Sequence, residues 1–232
     1  MLTLTPVEIE ALLLSLRVGV VSVVASLPLA LVCVWLLARC DFAGKGLFDG
    51  VVHLPLVLPP VAVGFTLLVL FGRNGVIGAW LYDQLGFTFA FNWKGAALAS
   101  AVMAFPLMVR AMRLSLDAVD RKLEAAARSL GASPWRVACT ITLPLMSPGI
   151  LTGAILAFAR SVGEFGATIT FVSNIPGETR TLPIALYALT QVPGGDQAAW
   201  RLAILSVLLA FAALLSSEAI AHRLNRRVQG RE

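Results

Sequence analysis

Charged residues are scarce in this chain, and so are histidine and cysteine. Asp, Glu, Lys and Arg make up 13% of the 232 residues, whereas a soluble domain usually carries about 25%. Hydrophobic residues make up 58%, and the mean hydropathy is +0.85. A soluble core of this length could not bury so much apolar surface. The composition therefore excludes a soluble globular domain and indicates a chain that lies in a lipid bilayer.

Side chains that could form a metal site are also few. His53 has no second histidine or cysteine at ligand spacing, and the three cysteines, Cys33, Cys40 and Cys139, show no metal-ligand pattern. Because Cys33 and Cys139 lie in apolar surroundings, we interpret the cysteines as packing residues and His53 as a structural histidine. We therefore expect this chain to bind no metal and no cofactor of its own.

A phosphate-binding loop is missing. Such a loop needs Gly-x-x-x-x-Gly-Lys-Ser/Thr, and the nearest match is FAGKGL at residues 42–47. There Gly46 replaces Ser or Thr, and no glycine lies five positions before Gly44. The chain also lacks a nucleophile elbow and a histidine pair, so neither ATP hydrolysis nor another enzymatic activity is predicted. The basic pI, about 9.6, is interpreted as the charge bias of membrane loops and not as nucleic-acid binding.

Five apolar stretches are long enough to cross a hydrocarbon core of about 30 Å, which needs about 20 helical residues. They cover approximately residues 11–38, 51–71, 92–112, 145–172 and 198–221. The segment 182–191 is too short to span and predicts an interfacial or re-entrant helix. The first stretch is too long for a cleaved signal peptide and follows acidic rather than basic residues. The sequence thus predicts an all-α integral membrane protein with one transmembrane domain over residues 1–232.

Lys and Arg are distributed unevenly between the two predicted sides of the membrane. One side carries twelve of the 18 basic residues, in loop 39–49, segment 110–136 and the tail from His222, and the other side carries four. Short loops rich in Lys and Arg stay in the cytoplasm. The pattern predicts that the N-terminus lies outside and the C-terminus inside the cell.

A polar stretch, EAAARSLGASPWRVACTITLP, occupies residues 124–144 between the third and fourth stretches. Asp120 is a good helix N-cap, Gly131 suits a left-handed helix end, and Ser133 before Pro134 is a second helix start. Residues 117–143, called the elbow below, are therefore predicted to form a short helix, a glycine turn and a second short helix in the cytoplasm. An amphipathic connector lying on lipid headgroups is the alternative interpretation.

The elbow resembles the EAA loop of ATP-binding-cassette importer permeases. The matching residues are Glu124-Ala125-Ala126, then Gly131 seven positions after the glutamate, then Ile141-x-Leu143-Pro144. The resemblance implies a type I permease fold of five spans and a coupling helix that docks on an ATP-binding subunit. The positions expected at that contact are Glu124, Ala125, Ala126, Leu130, Gly131, Ala132 and Trp135.

A broader resemblance, to the molybdate permeases of bacteria, rests on residues 39–65 and on FARSVGEFGATITFVSNIPGETRTLP at 158–183. It implies a multi-pass protein of the bacterial inner membrane that transports molybdate, with tungstate as a possible second cargo. The implied partners are a second copy of the chain, two cytoplasmic subunits that use ATP and Mg, and a periplasmic or lipid-anchored oxyanion-binding protein. A sulfate or thiosulfate permease is the first alternative. A secondary anion transporter, which should show related halves, is the second.

Charges and prolines inside the predicted spans are the remaining candidates. Arg160 and Glu164 lie four residues apart on one predicted helix face, where they either form a structural ion pair or border the translocation path with Thr168. Three prolines interrupt the second stretch and predict a kink that could act as a hinge. They are Pro55, Pro59 and Pro60.

Overall fold

The computed structural model describes the backbone of residues 4–228 and the side chains of residues 4–216, 218 and 219. All regular elements in this part are helical, which confirms the predicted fold class. In chain order they are α1 (Pro6–Arg39), α2 (Lys45–His53), α3 (Pro60–Phe71), α4 (Val76–Leu85), α5 (Trp93–Asp117), α6 (Arg121–Ser129), α7 (Pro134–Val137), α8 (Leu143–Val162), α9 (Gly166–Val172), α10 (Leu182–Thr190) and α11 (Asp196–Val228). The short helix α10 lies where an interfacial or re-entrant helix was predicted.

The first helix begins five residues earlier than its apolar stretch because its start is capped. The Thr5 hydroxyl accepts a hydrogen bond from the Glu8 amide (3.4 Å), and the Glu8 carboxylate accepts one from the Thr5 amide (2.7 Å). Pro6 occupies the first helical position, where its missing N–H costs nothing. With 34 residues, α1 is the longest helix in the described part of the chain.

Four of the described helical segments are long and apolar enough to cross a membrane: Pro6–Arg39, Trp93–Asp117, Pro134–Val162 and Asp196–Ser216. The predicted second span, 51–71, is not a straight helix. It is replaced by Lys45–Leu56 and Pro60–Phe71, which meet at a bend of 110°. Prolines cannot donate a backbone hydrogen bond, so Pro55, Pro59 and Pro60 end one helix and start the next. The predicted kink is confirmed, and a fifth span exists only if this bent pair is one.

The predicted fourth span, 145–172, does not coincide with one helix. The helix starts at Pro134, because α7 continues through a π-helical turn, Ala138–Thr142, into α8. It ends at Val162, and a break at residues 163–165 separates it from α9. The second short helix of the elbow, α7, is therefore the first part of a longer helix. Sequence analysis also missed α4, which lies between Gly75 and Gly86.

The bundle is centred on α5, which packs against both α1 and α8, while α11 packs against α8 and α3 against α9. Glycines allow the closest approaches. A Cβ at Gly153 of α8 would lie 3.0 Å from the Met108 carbonyl oxygen, and one at Gly64 of α3 would lie 2.5 Å from that of Ala167. Small residues at the crossings let the backbones come together, as is usual between helices in membranes.

Polar contacts define the two ends of the bundle. At one end, Arg39 reaches Glu124, Arg121 donates to the Ala38 carbonyl, and Arg113 pairs with Asp49. At the other end, Arg201 pairs with Glu8. Arg39, Arg113 and Arg121, from loop 39–49 and segment 110–136, thus lie at one end, as predicted, and Arg110 lies one turn before Arg113 in α5. The basic side chains after His222 lie outside the described residues.

Candidate functional site

The elbow has the turn that its sequence predicted. The Asp120 carboxylate accepts a hydrogen bond from the Lys122 amide (2.9 Å), and α6 begins at Arg121. Gly131 has φ +86°, a left-handed conformation that favours glycine. The Ser133 hydroxyl then accepts a hydrogen bond from the Arg136 amide (3.3 Å) and caps the next helix. Because the starts of both helices are capped by neighbouring side chains, local hydrogen bonds define the geometry of the elbow.

Glu124 does not lie on the outer face of the elbow, although the resemblance places it among the docking residues. Its carboxylate is buried, and Oε1 accepts hydrogen bonds from Arg39 Nη2 (3.2 Å) and from the Thr142 hydroxyl (2.8 Å). These partners lie at the end of α1 and at the start of α8. Glu124 therefore holds α6 against the bundle and cannot itself contact another subunit in this conformation.

Arg39 and Arg121 complete this attachment. We call the four residues Arg39, Arg121, Glu124 and Thr142 the Glu124 brace. Arg39 Nη2 also donates to the Leu116 carbonyl near the end of α5 (3.3 Å), and Arg121 Nη2 donates to the Ala38 carbonyl of α1 (3.1 Å). The side chain of Arg39 is only 9% exposed. Charged hydrogen bonds of this kind are stronger than neutral ones. The brace thus links α6 to the ends of three long helices.

Five of the seven predicted docking residues are exposed, and one of them is Gly131 in the turn. Leu130 is 88% exposed and Trp135 is 78% exposed, while Ala125 and Ala126 lie on the open face of α6. Exposed large apolar side chains beside small ones are typical of a surface that another protein covers. Ala132 is half-buried, and Gly131 forms the turn. The coupling role of the seven positions stays a prediction.

The structure changes the interpretation of Cys139. Cys33 is buried in the core, as expected of a packing residue, but Cys139 is exposed on the π-helical turn of the elbow. The prediction that all three cysteines pack in the interior is therefore wrong for Cys139. Its apolar neighbours Val137, Ala138 and Ile141 are buried or half-buried, so apolar surroundings in sequence did not show on which side Cys139 lies.

Arg160 and Glu164 form an ion pair, but not on one continuous helix. Arg160 Nη1 lies 2.6 Å from Glu164 Oε2, with Arg160 at the end of α8 and Glu164 in the break that follows. Glu164 Oε1 also accepts a hydrogen bond from the Ala167 amide (2.8 Å) and so caps α9. The Glu164 side chain is 1% exposed and that of Arg160 is 31% exposed. Only the arginine can therefore meet solvent or cargo.

Thr168 is placed in a structural position. It is fully buried, and its hydroxyl donates to the carbonyls of Glu164 (3.2 Å) and Phe165 (2.9 Å). A hydroxyl that is used in this way has no proton left for an anion. The path role of Thr168 stays a prediction, and its contacts are those of a residue that stabilises the start of α9.

The bend between α2 and α3 is held from the elbow end of the bundle. His53 Nδ1 lies 2.9 Å from the Asp49 carbonyl oxygen, and Arg113 of α5 pairs with the Asp49 carboxylate at 3.2 Å. Within the described residues no group of three His, Cys, Asp or Glu side chains could hold a metal ion. The hinge role of Pro55, Pro59 and Pro60 stays a prediction.

The Glu124 brace was not found by sequence reasoning. Arg39 is 85 residues from Glu124 and Thr142 is 18 residues away, so no local spacing connects them. Arg39 entered the sequence analysis only as one of many basic residues near a membrane boundary. The useful signal was the position of Arg39 at a helix end, since a charge there must find either water or a partner.

The helix order, the bent pair and the braced elbow define a polytopic permease component, and the chain belongs to the family described as binding-protein-dependent transport system inner membrane component, which matches residues 19–229. It is a multi-pass protein of the inner membrane. Within that family it is 62% identical over 228 residues to the molybdenum transport system permease protein of Escherichia coli (strain K12), covering 98% of this chain and 99% of the relative. The corresponding protein of Haemophilus influenzae is 58% identical over 95% of this chain and 96% of its own length.

More distant similarities define the fold. The sulfate transport system permease protein CysT of Escherichia coli is 36% identical over 86% of this chain and 72% of its own length. A bacterial alginate ABC transporter, solved with a periplasmic protein bound to an alginate pentasaccharide, aligns with a TM-score of 0.74 at 16% identity, over 95% of this chain and 80% of that chain. The inward-facing MetNI methionine ABC transporter aligns with a TM-score of 0.68 at 16% identity, over 94% of each chain. The chain thus has the type I ABC permease fold.

Proposed function

We propose that this chain is the membrane-spanning permease subunit of an ATP-driven importer that moves molybdate into the cytoplasm. The observation that carries the proposal is the 62% identity to a molybdenum permease along nearly the whole of both chains. Identity at that level includes the spans and the elbow together. Tungstate, which has the same charge and tetrahedral shape as molybdate, is proposed as a second cargo.

The proposed assembly contains two copies of this chain, two cytoplasmic subunits that bind ATP and Mg, and a periplasmic or lipid-anchored protein that delivers the oxyanion. ATP hydrolysis belongs to the cytoplasmic subunits, and this chain contributes neither a catalytic residue nor a cofactor. The chain is oriented with its N-terminus outside and the elbow in the cytoplasm. The bias of basic residues towards the elbow end supports this orientation.

The elbow is proposed to be the joint to the ATP-binding subunit. Leu130 and Trp135 insert as apolar anchors, and Ala125 and Ala126 let the partner approach α6 closely. Buried aromatic anchors commonly dominate the energy of such contacts. When the ATP-binding subunits move, the Glu124 brace passes the displacement to α1, α5 and α8, because Glu124 bonds α6 to Arg39 and Thr142, and Arg39 in turn bonds α1 to α5.

The two alternatives have less support. Sulfate permeases are relatives, but their identity to this chain is 36%, against 62% for the molybdenum permeases. A secondary transporter would not need an elbow with exposed anchors, and the family of this chain works with a binding protein.

Uptake by a reconstituted complex tests the proposal. The permease, its ATP-binding subunits and the binding protein are placed in proteoliposomes, and accumulation of labelled molybdate is followed with ATP inside and competing oxyanions outside. We expect ATP-dependent uptake that excess unlabelled molybdate or tungstate abolishes and equal sulfate leaves nearly unchanged. Equal competition by sulfate would favour the sulfate permease, and uptake without ATP-binding subunits would favour the secondary transporter.

A further inference from the structure

Arg110 lies deeper in the bundle than the segment to which sequence analysis assigned it. It is inside α5, seven residues before that helix ends at Asp117. The carbonyl of Leu116 accepts a hydrogen bond from the side chain of Arg39, the last residue of α1. A helix rises 1.5 Å per residue, so Arg110 lies about 9 Å along α5 from Leu116 and one turn before Arg113, which pairs with Asp49.

The side of α5 that carries Arg110 is open, although the rest of the helix is largely buried. It faces a cavity of about 520 Å³ between α5 and α8. The α5 residues that line the cavity recur every three or four positions, as on one helix face, and the α8 residues that line it follow the elbow in sequence. The lining residues from α5 include Leu107, Arg110 and Leu114, and those from α8 include Gly149, Thr152 and Leu156.

Arg110 forms no ion pair and no hydrogen bond with any other residue in the described part of the chain. A charged guanidinium inside a membrane-spanning segment is unfavourable against lipid, and such residues face a water-filled cavity or a partner, or extend to the membrane interface. No Asp or Glu lines the cavity. Arg110, Ser115 and Thr152 have the polar side chains of this lining, and the other lining residues are apolar, so the attraction of this side of α5 for water and anions comes mainly from the Arg110 charge.

Arg160 continues the same side of α8. Thr152, Leu156 and Arg160 follow one another at intervals of four residues, which places them on one helix face. Thr152 lines the cavity with Arg110, and Arg160 lies eight residues, about 12 Å, further along α8. Arg160 is partly exposed while Glu164 is buried, so a second arginine lies on this face of α8, beyond the residues that line the cavity.

We propose that the groove between α5 and α8 is a water-filled anion path, and that Arg110 is a positioning residue which attracts a tetrahedral oxyanion on the cytoplasmic side of Arg160. The identity of the anion as molybdate rests on the proposed function, whereas the presence of water and positive potential in the groove does not. Single arginines at separate depths raise the local concentration of an anion without enclosing it, so the anion can also leave.

Thiol labelling tests the groove without any transport. Leu107→Cys and Thr152→Cys are made in a background in which Cys33, Cys40 and Cys139 are replaced, and the intact complex is treated with a sulfonate and an ammonium methanethiosulfonate. Leu208→Cys, exposed on α11, is the control for a surface away from the groove. We expect both groove cysteines to react, and the sulfonate to react about tenfold faster than the ammonium reagent, as for steered association.

Arg110→Gln should remove that preference for the sulfonate, and 0.5 M salt should weaken it by screening. If both groove cysteines are unreactive in the complex, or if they react equally with both reagents before and after Arg110→Gln, the proposal is overturned. These results do not depend on whether the complex transports molybdate, so they are distinguishable from failure of the proposed function.

Transport provides the second measurement. Arg110→Gln should slow molybdate uptake about tenfold while assembly with the ATP-binding subunits is unchanged, and Arg110→Lys should restore most of the rate. Arg73→Gln, which removes the same charge from an exposed position of the opposite end, should transport normally. Normal uptake by Arg110→Gln would contradict the proposal. A structural role, which also contradicts it, would be shown if Arg110→Gln loses assembly and Arg110→Lys restores assembly without a preference of the groove cysteines for the sulfonate.

Discussion

The elbow and the break between α8 and α9 are each built around a buried glutamate that pairs with an arginine, yet the two pairs differ in reach. Glu124 bonds to Arg39 across 85 residues of sequence, and both side chains are less than a tenth exposed. Glu164 bonds to Arg160 only four residues away, and that arginine is 31% exposed. The first pair joins separate helices, whereas the second fixes a local break and leaves a cation at the groove.

This difference suggests that the two ion pairs have different roles. A fully buried pair between elements stabilises an arrangement only while both partners are present. A half-exposed arginine keeps access to water, so it can meet cargo while its glutamate caps the next helix. The following substitutions compare the two regions, in order of decreasing effect on the stability of the complex.

Glu124→Lys should have the largest effect. The new ammonium would lie beside Arg39 in a buried site, and breaking a buried ion pair costs about 3–5 kcal/mol. We expect the elbow to detach from the bundle and the ATP-binding subunits to be lost during purification. Glu10→Lys, at an exposed position of α1, is the matched control and should purify normally. A Glu124→Lys complex that keeps its ATP-binding subunits and transports at the wild-type rate would show that the brace is not needed.

Arg160→Gln should have the next largest effect, about 1–3 kcal/mol, because it leaves the buried Glu164 carboxylate without its counter-ion. Arg160→Gln combined with Glu164→Gln should recover folded complex, measured by size-exclusion yield, since the neutral amide can still accept from Ala167. If the double variant also transports normally, Arg160 has no role in the path. If it folds but transports slowly, the groove interpretation is strengthened.

Thr142→Val should cost about 1.5–2 kcal/mol, since it removes one hydrogen bond to a buried carboxylate. The corresponding change at the break, Thr168→Val, removes hydrogen bonds to backbone carbonyls within one helix turn and should cost less. Thermal unfolding of the two purified complexes measures the difference. Equal losses would indicate that the hydroxyl of Thr142 adds nothing specific to the brace.

Gly131→Ala and Gly163→Ala give the smallest and sharpest comparison. Gly131 has φ +86°, so alanine there should cost about 1–2 kcal/mol. Gly163 has φ −88° and room for a Cβ, since its nearest neighbour would lie 3.8 Å away, and alanine should be tolerated. Coupling of ATP hydrolysis to uptake is the readout for both. Full coupling in Gly131→Ala would mean that the glycine turn does not set the position of the elbow.

Much of the elbow could be predicted because its signals are local. A helix N-cap, a left-handed glycine and a second cap lie within fifteen residues, from Asp120 to Pro134, and each acts on its own backbone neighbours. Leu130 and Trp135 were expected to be anchors and are exposed. Glu124 was expected at the docking surface and is buried, because its partner Arg39 approaches only when α1 and α5 pack.

The membrane-spanning segments show the same limit of prediction from local sequence. Apolar length identified where most of the spanning segments lie, but it could not show that Gly163 and Glu164 interrupt a helix, or that two proline-separated segments turn by 110°. Both features depend on a neighbour: Glu164 caps α9 while pairing with Arg160, and Gly166 lies against Pro60. Periodicity does not carry that information.

The sequence by itself determined that this protein lies in a membrane, that it is helical, and where its elbow turns, since composition and capping act through lipid and through the local backbone. Only the tertiary structure decided which charges are joined and which are left open. Arg39 and Arg110 are alike in sequence, each a lone arginine near an apolar run. Packing buries Arg39 against Glu124 and leaves Arg110 facing a cavity, because helix faces acquire partners only when distant segments come together.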